Sequence, residues 1–149
     1  MSQGNQWLRL GHPAFIEAKR AYFEDYLAAI AKHGWNSEAD LAVKKFEYLV
    51  ALIQLAVPRD PASDSFRQGN TIGTKYRHWR RAKFLQQYRL FFRYSSKVET
   101  IIYAWVNDNQ TLRRYGSKTD AYLVFRKMLE QGRVPNDWDE LMAESEKLS

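Results

Sequence analysis

Arg81, Lys83 and Arg89 are the residues whose types and spacing point most directly to chemistry. They lie in two short aromatic-rich runs, Trp79 to Phe84 (WRRAKF) and Tyr88 to Tyr94 (YRLFFRY), separated by Leu85, Gln86 and Gln87. That pattern predicts two strands joined by a tight turn. Side chains alternate faces along a strand, so Trp79, Arg81 and Lys83 point one way and Arg80, Ala82 and Phe84 the other. In the second run Tyr88, Leu90, Phe92 and Tyr94 form an apolar face, with Arg89, Phe91 and Arg93 on its reverse. A turn that closes Phe84 against Tyr88 sets Lys83 opposite Arg89 and Arg81 opposite Phe91. Like charges facing each other across a ladder cost up to about 1 kcal/mol, so this cluster predicts a bound anion, with phosphate the natural candidate. Phe91, expected to be exposed among the cations, offers a surface on which a base stacks. The competing reading is the solvated outer face of an antiparallel sheet.

Thr111 to Tyr122 (TLRRYGSKTDAY) adds Arg113, Arg114, Tyr115 and Lys118 just ahead of a predicted helix start, a place that favours phosphate. Lys75 and Arg77 extend the positive charge upstream, and Arg93 extends it along the second strand. Guanidinium groups suit the extra negative charge of a pentacoordinate phosphate. Proton transfer would fall to Lys83, to Tyr115 or to the substrate's own surroundings. Taken alone, Tyr115 fits a packed aromatic better than a catalytic phenol. His78 reads as an ordinary loop histidine, His12 as a cap or packing group at a helix start, and His33 as a group near a helix C-terminus. Trp35, Trp105 and Trp138 read as core. The chain has no cysteine, and its three histidines are far apart, so neither thiolate nor metal chemistry is expected and no cofactor is implied.

The elements that must position these groups follow from periodicity. The chain has 149 residues, 45% of them hydrophobic and 15% aromatic, which fits one domain over 1–149 with a sizeable core. Trp7 to Leu10 predicts an edge strand. From Pro13, helical spacing runs to Gly34, and Ser37 with Asp40 resembles a capping box for a second helix that ends before Pro58. Residues 1–57 thus form an edge strand and a helical pair. Residues 58–78 form a basic surface loop. Residues 79–107 form an antiparallel meander whose third strand is Thr100 to Asn107. Residues 108–149 give a turn at Asn107 to Asn109, a last helix from Asp120 to Gln131 capped by Thr119, and an acidic tail. The fold class is α+β.

Charge follows the same division. Of the net +6, the segment from Arg59 to Lys118 carries thirteen basic residues against four acidic, or +9, and the rest of the chain is net negative. A nucleic acid is therefore the expected partner. No run is long and apolar enough to span a bilayer, and MSQGNQW lacks the features of a signal peptide, so no membrane partner and a cytoplasmic location are expected.

Six ordered strings between Phe66 and Leu129, FRQGNTIG, HWRRAKF, YRLFFRYSSK, IIYAWVND, TLRRYGSKTDAY and VFRKML, resemble the YhaV toxin family, a branch of the RelE-like ribonuclease superfamily. Trp7 with His12-Pro13-Ala14-Phe15 is similar to the family's start, and Val134 to Trp138 to its close. The resemblance implies a RelE-like fold in which an N-terminal helical pair packs on a small antiparallel sheet followed by a C-terminal helix. It implies a toxin of a type II toxin–antitoxin system that cleaves mRNA, in many superfamily members on the ribosome, and a PrlF-like antitoxin with an AbrB-like fold. Arg81, Lys83 and Arg89 match the superfamily's basic strand and following arginine, and Arg113, Tyr115 and Lys118 fall where its later functional side chains lie. Position 80 is Arg where the family pattern has a small polar residue. The rival expectation is a non-enzymatic RNA- or DNA-binding module using the same basic face.

Overall fold

Alternation and turn length set the central meander, and the computed structural model, which describes residues 6–34 and 40–148, has it in the expected register. Strand β2 (Arg80–Phe84) pairs antiparallel with β3 (Tyr88–Ser95), placing Phe84 opposite Tyr88, Lys83 opposite Arg89 and Arg81 opposite Phe91. Leu85 and Gln86 both take positive φ, 46° and 67°, to close the turn. Strand β4 (Thr100–Val106) pairs antiparallel with β3. Phe91 faces Trp105 but Phe92 faces Tyr103, so Ala104 is an extra residue, a bulge that turns Ala104 and Trp105 toward the same side.

The sheet is larger and more mixed than a meander. Strand β1 (Leu8–Gly11), expected at an edge, lies inside: it runs parallel to β4 on one side and antiparallel to β5 (Glu146–Lys147) on the other. The order is β2-β3-β4-β1-β5. The acidic tail is therefore ordered, and Leu148 donates its amide to the Arg9 carbonyl at 2.9 Å.

Helix α1 (Pro13–His33) begins where His12 Nδ1 accepts the Ala14 amide, and Phe15, Tyr22 and Ala29 make its buried stripe. Helix α2 (Leu41–Ala51) is capped by Asp40, which accepts from Ala42. Ser37, the expected cap, lies outside the described residues. Pro58 does not end this helix: a π turn over Leu52–Ala56 widens the carbonyl ladder, and a final turn Val57–Arg59 carries the proline near its start. The loop that follows lies largely on the surface, as expected, but is anchored from within. Gln68 is buried, donates to the Tyr76 carbonyl at 2.8 Å and accepts the Ile72 amide at 3.0 Å, so Ile72 and Tyr76 join the core. Helix α3 (Ala121–Glu130) is capped by Asp120 rather than Thr119, since the longer carboxylate reaches the Tyr122 amide. A fourth helix, α4 (Trp138–Glu144), follows, where only a tail was expected.

The sheet is buried on both faces. Phe15, Tyr22, Leu49 and Ile53 of α1 and α2 and its extension pack on Leu90, Phe92 and Tyr103. On the reverse face Phe125, Met128 and Leu141 of α3 and α4 pack on Trp79, Phe91 and Ile102. This second cover overturns the expectation of an exposed Phe91. The alternation assigns Phe91 to the right side of the strand, but α3 lies over that side. Phe91 is 0% exposed and stacks on Phe125 at 4.4 Å between ring centroids. It cannot receive a base.

Candidate active site

The cations gather around a residue to which sequence reasoning gives no role. Tyr122, the second residue of α3, is buried, and its hydroxyl accepts from Arg81 Nε at 2.9 Å and from Arg89 Nε at 3.1 Å. The Arg113 guanidinium lies over the Tyr122 ring at 4.7 Å. Three arginines from three separate segments thus converge on one phenol. The available signal was Tyr122's place on the stripe with Phe125 and Leu129, since a buried phenol needs a polar partner for its tip.

Each arginine is oriented by neutral backbone groups or by the Asp120 carboxylate. Arg81 Nη1 donates to the Ser65 carbonyl at 2.8 Å. Arg89 is buried, and its Nη1 donates to the carbonyls of Gln86 at 2.7 Å and Tyr88 at 2.9 Å, tying it to the left-handed turn. Nη2 of Arg81 and of Arg89 makes no hydrogen bond among the described residues. Of the three, only Arg113 is ion-paired among the described residues, with Asp120 at 3.0 Å. Lys83 is exposed directly across the ladder from Arg89. The cluster is thus strongly positive and only partly neutralised, the arrangement that binds an oxyanion through charge-assisted hydrogen bonds.

Beside it opens a groove of about 570 Å³ whose walls include Arg113, Tyr115, Lys118, Asp120, Tyr122 and Arg126. Arg81, Lys83 and Arg89 are not among its walls, so the groove flanks the arginine cluster and meets it at Tyr122 and Arg113. Tyr115 is 94% exposed, and the Arg113 guanidinium sits 5.7 Å from its ring. Here, and not at Phe91, the structure presents an aromatic face among cations. Arg114 and Lys118 are exposed on the same loop.

Two expectations are corrected in placement. The start of α3 is filled by the protein's own anion: Asp120 accepts the Tyr122 and Arg114 amides as well as Arg113, where a phosphate was expected. Arg93, expected to bind RNA, is half-buried between Trp79 and Trp138, 5.6 and 5.3 Å from their rings, and donates to the Asn136 carbonyl at 2.7 Å. Burial lowers its pKa, and its role is to hold α4 to the sheet. Lys75 and Arg77 are exposed, but no hydrogen bond or ion pair joins them to the cluster among the described residues.

The histidines take no part in it. His12 caps α1 and bonds Glu144 at 2.9 Å, and His33 lies 3.5 Å from Asp40. His78 bonds Asn136, and burial lowers its pKa. Arg80, at the departure from the family pattern, lies on the α1–α2 side, 5.0 Å from the Tyr94 ring and bonded to the Ser63 carbonyl. Trp105 and Trp138 pack partly buried on the core as expected, while Trp35 lies outside the described residues. Among the described residues no three His, Asp or Glu side chains gather as metal ligands, and no helix is long and apolar enough to cross a membrane.

Residues 10–146 match the family model of the YhaV toxins, described as a toxin with endonuclease activity, of toxin–antitoxin system. Over 145 residues the chain is 41% identical to the ribonuclease toxin YhaV of Escherichia coli K12, and equally to the toxin YhaV of Escherichia coli O6:H1. Both alignments cover 96% of this chain and 94% of the relative. No solved structure matches.

Proposed function

This chain belongs to the YhaV toxin family, and from that premise we propose that it cleaves messenger RNA on the ribosome, without a metal, at the arginine cluster around Tyr122. The protein is a ribonuclease toxin of a toxin–antitoxin system, so a purely binding module is set aside. The observation that carries the site assignment is the convergence of Arg81 and Arg89 on one phenol oxygen, with an outer nitrogen of each left over for a phosphate.

In this reading the ribose 2′-OH attacks the adjacent phosphorus, the bond to the 5′ oxygen breaks, and the products carry a 2′,3′-cyclic phosphate and a 5′-hydroxyl. Arg81 and Arg89 hold the non-bridging oxygens as their charge grows, and Arg113 assists from the groove. Lys83 or Tyr115 takes the 2′-OH proton, and a second group or a ribosomal group returns one to the leaving oxygen. Arg114, Lys118, Lys75 and Arg77 supply salt-dependent attraction for the RNA backbone. Tyr115 replaces Phe91 as the stacking surface. Cleavage inhibits translation and growth in the cytoplasm, and the α+β chain is a RelE-like variant with an extra parallel strand.

Primer extension on cellular mRNA after brief induction tests this reading: discrete new 5′-hydroxyl ends within coding sequences are expected, and growth arrest without new ends would overturn it. Cleavage should also persist in excess EDTA under conditions that keep ribosomes intact. Complete loss, restored by zinc or manganese, would refute the metal-free step.

The antitoxin is PrlF-like with an AbrB-like fold, and it covers Arg81, Lys83 and Arg89 or displaces α3. Like-charged groups gain most from an acidic partner, which also speeds association. Hydrogen exchange with and without antitoxin is expected to show protection over β2 and β3, or faster exchange over α3. Protection confined to α1 and α2 would sink this mode.

A further inference from the structure

Asn107 is 0% exposed and makes more hydrogen bonds than any strand geometry requires of it. It follows the last residue of β4, where the next rung of the β3–β4 ladder would join it to Arg89. Its amide does donate to the Arg89 carbonyl, at 3.3 Å. The return bond is different: the Arg89 amide donates to the Asn107 side-chain Oδ1, at 2.7 Å. The side chain has taken over the place of its own carbonyl. That carbonyl instead accepts the Tyr22 hydroxyl of α1, at 2.6 Å through the other core. The remaining side-chain nitrogen donates to the Gln87 carbonyl at 3.1 Å and to the Thr111 carbonyl at 2.7 Å.

These bonds join the segments that carry the site. Gln87 ends the turn before Arg89, and Thr111 opens the loop that delivers Arg113. Gln87 and Arg113 are paired in turn: the Arg113 amide donates to the Gln87 carbonyl at 3.0 Å, and the Gln87 side chain donates to the Arg113 carbonyl at 3.3 Å. One buried amide therefore fixes where two arginines leave the backbone relative to each other. Only an amide fits, since the position needs one acceptor for an N–H and two donors for carbonyls. Serine cannot span all three partners, and aspartate would set a carboxylate against two carbonyl oxygens.

We infer that Asn107 is a positioning residue for the cleavage reaction, setting the spacing of Arg89 and Arg113, with Tyr22 bracing it from the helical layer on the opposite face of the sheet. The inference rests on the reading of Arg89 and Arg113 given above. Misplacing a charge by about 1 Å costs on the order of 10²-fold in rate, while RNA held by the surrounding cations loses little affinity.

The test compares Asn107→Ser, Tyr22→Phe and Arg89→Ala with the full wild-type chain, by steady-state cleavage and by nitrogen-detected NMR of the arginine Nε–H groups. Asn107→Ser is expected to lower kcat by about 10- to 100-fold with KM within about threefold, and Tyr22→Phe to lower it by a smaller factor with the same signature. The Arg89 and Arg113 Nε–H resonances should move in both variants, and those of remote arginines should not. A folded Asn107→Ser with unmoved arginine resonances overturns the inference, as does one with wild-type kcat while Arg89→Ala is inactive. Should Asn107→Ser fail to fold, Tyr22→Phe decides alone: unmoved Arg89 and Arg113 resonances there are equally fatal. A fully active Arg89→Ala strikes instead at the assignment of the site, and the resonances still judge the positioning.

Discussion

Arg81→Ala is expected to reduce RNA cleavage by about 10² to 10³-fold and to abolish growth arrest on induction, while leaving the protein folded. The rate loss follows from removing a guanidinium aimed where phosphate charge develops. The fold should survive for a reason visible in the hydrogen bonds. Arg81 gives one bond to Tyr122, whose hydroxyl keeps Arg89 as a donor, and one to the Ser65 carbonyl, which lies on an exposed turn open to water. No buried acceptor is left without a partner, so the cost is near the net worth of two hydrogen bonds, about 1–3 kcal/mol. Arg81→Lys should recover only part of the activity, because an ammonium cannot bond Tyr122 and a phosphate in the same fork. Single-turnover cleavage together with a thermal melt provides the check. An Arg81→Ala protein that is folded at the assay temperature and remains fully toxic would show the cationic-face mechanism to be wrong.

Phe125→Ala carries the largest stability effect, an expected loss of about 3–5 kcal/mol. Phe125 is 0% exposed and stacks on Phe91 at 4.4 Å, lies parallel to Trp105 at 6.3 Å, and meets Trp79 edge-on at 5.0 Å. Truncation opens a hole in the centre of the core beneath α3. Native proteins are stable by only about 5–15 kcal/mol, so this is a large share of the whole. Urea unfolding followed by tryptophan fluorescence measures it directly. Phe91→Ala should behave alike, with its cleavage defect tracking the fraction unfolded. A stable Phe91→Ala protein with weakened RNA affinity would instead restore the idea that this ring stacks on a base.

How much of this was legible in the sequence depends on how local the cause is. The opposition of Lys83 to Arg89 and of Arg81 to Phe91 follows from alternation and a three-residue turn, both contained in sixteen residues, 79–94, and the structure has both. The stripe of Ala121, Val124, Phe125, Met128 and Leu129 was equally readable. What that stripe covers was not, because nothing local says that α3 lies on the arginine side of the sheet. The burial of Phe91 and the centrality of Tyr122 descend from that one docking, and the engagement of Arg93 from the docking of α4 beside it. The parallel pairing of β1 with β4 escaped for the same reason, since the partner strand begins at Thr100. Asp120 over Thr119 as cap was a near miss of one residue, with a larger consequence: the carboxylate that caps α3 also anchors Arg113.

The pairing of β1 with β4 and β5 has a further consequence for the order of events during synthesis. β1 precedes both of its partners in the chain, so one edge of it stays open until Thr100–Val106 has been made and the other until Glu146 and Lys147 have. Contacts so distant in sequence slow folding and leave the sheet unfinished through most of translation. Arg81, Lys83 and Arg89 are made well before that closure, as is Tyr122, but α4 and β5 come only afterwards. The sheet that carries Arg81, Lys83 and Arg89 therefore gains its outermost strand, β5, only after every residue of the arginine cluster has been made.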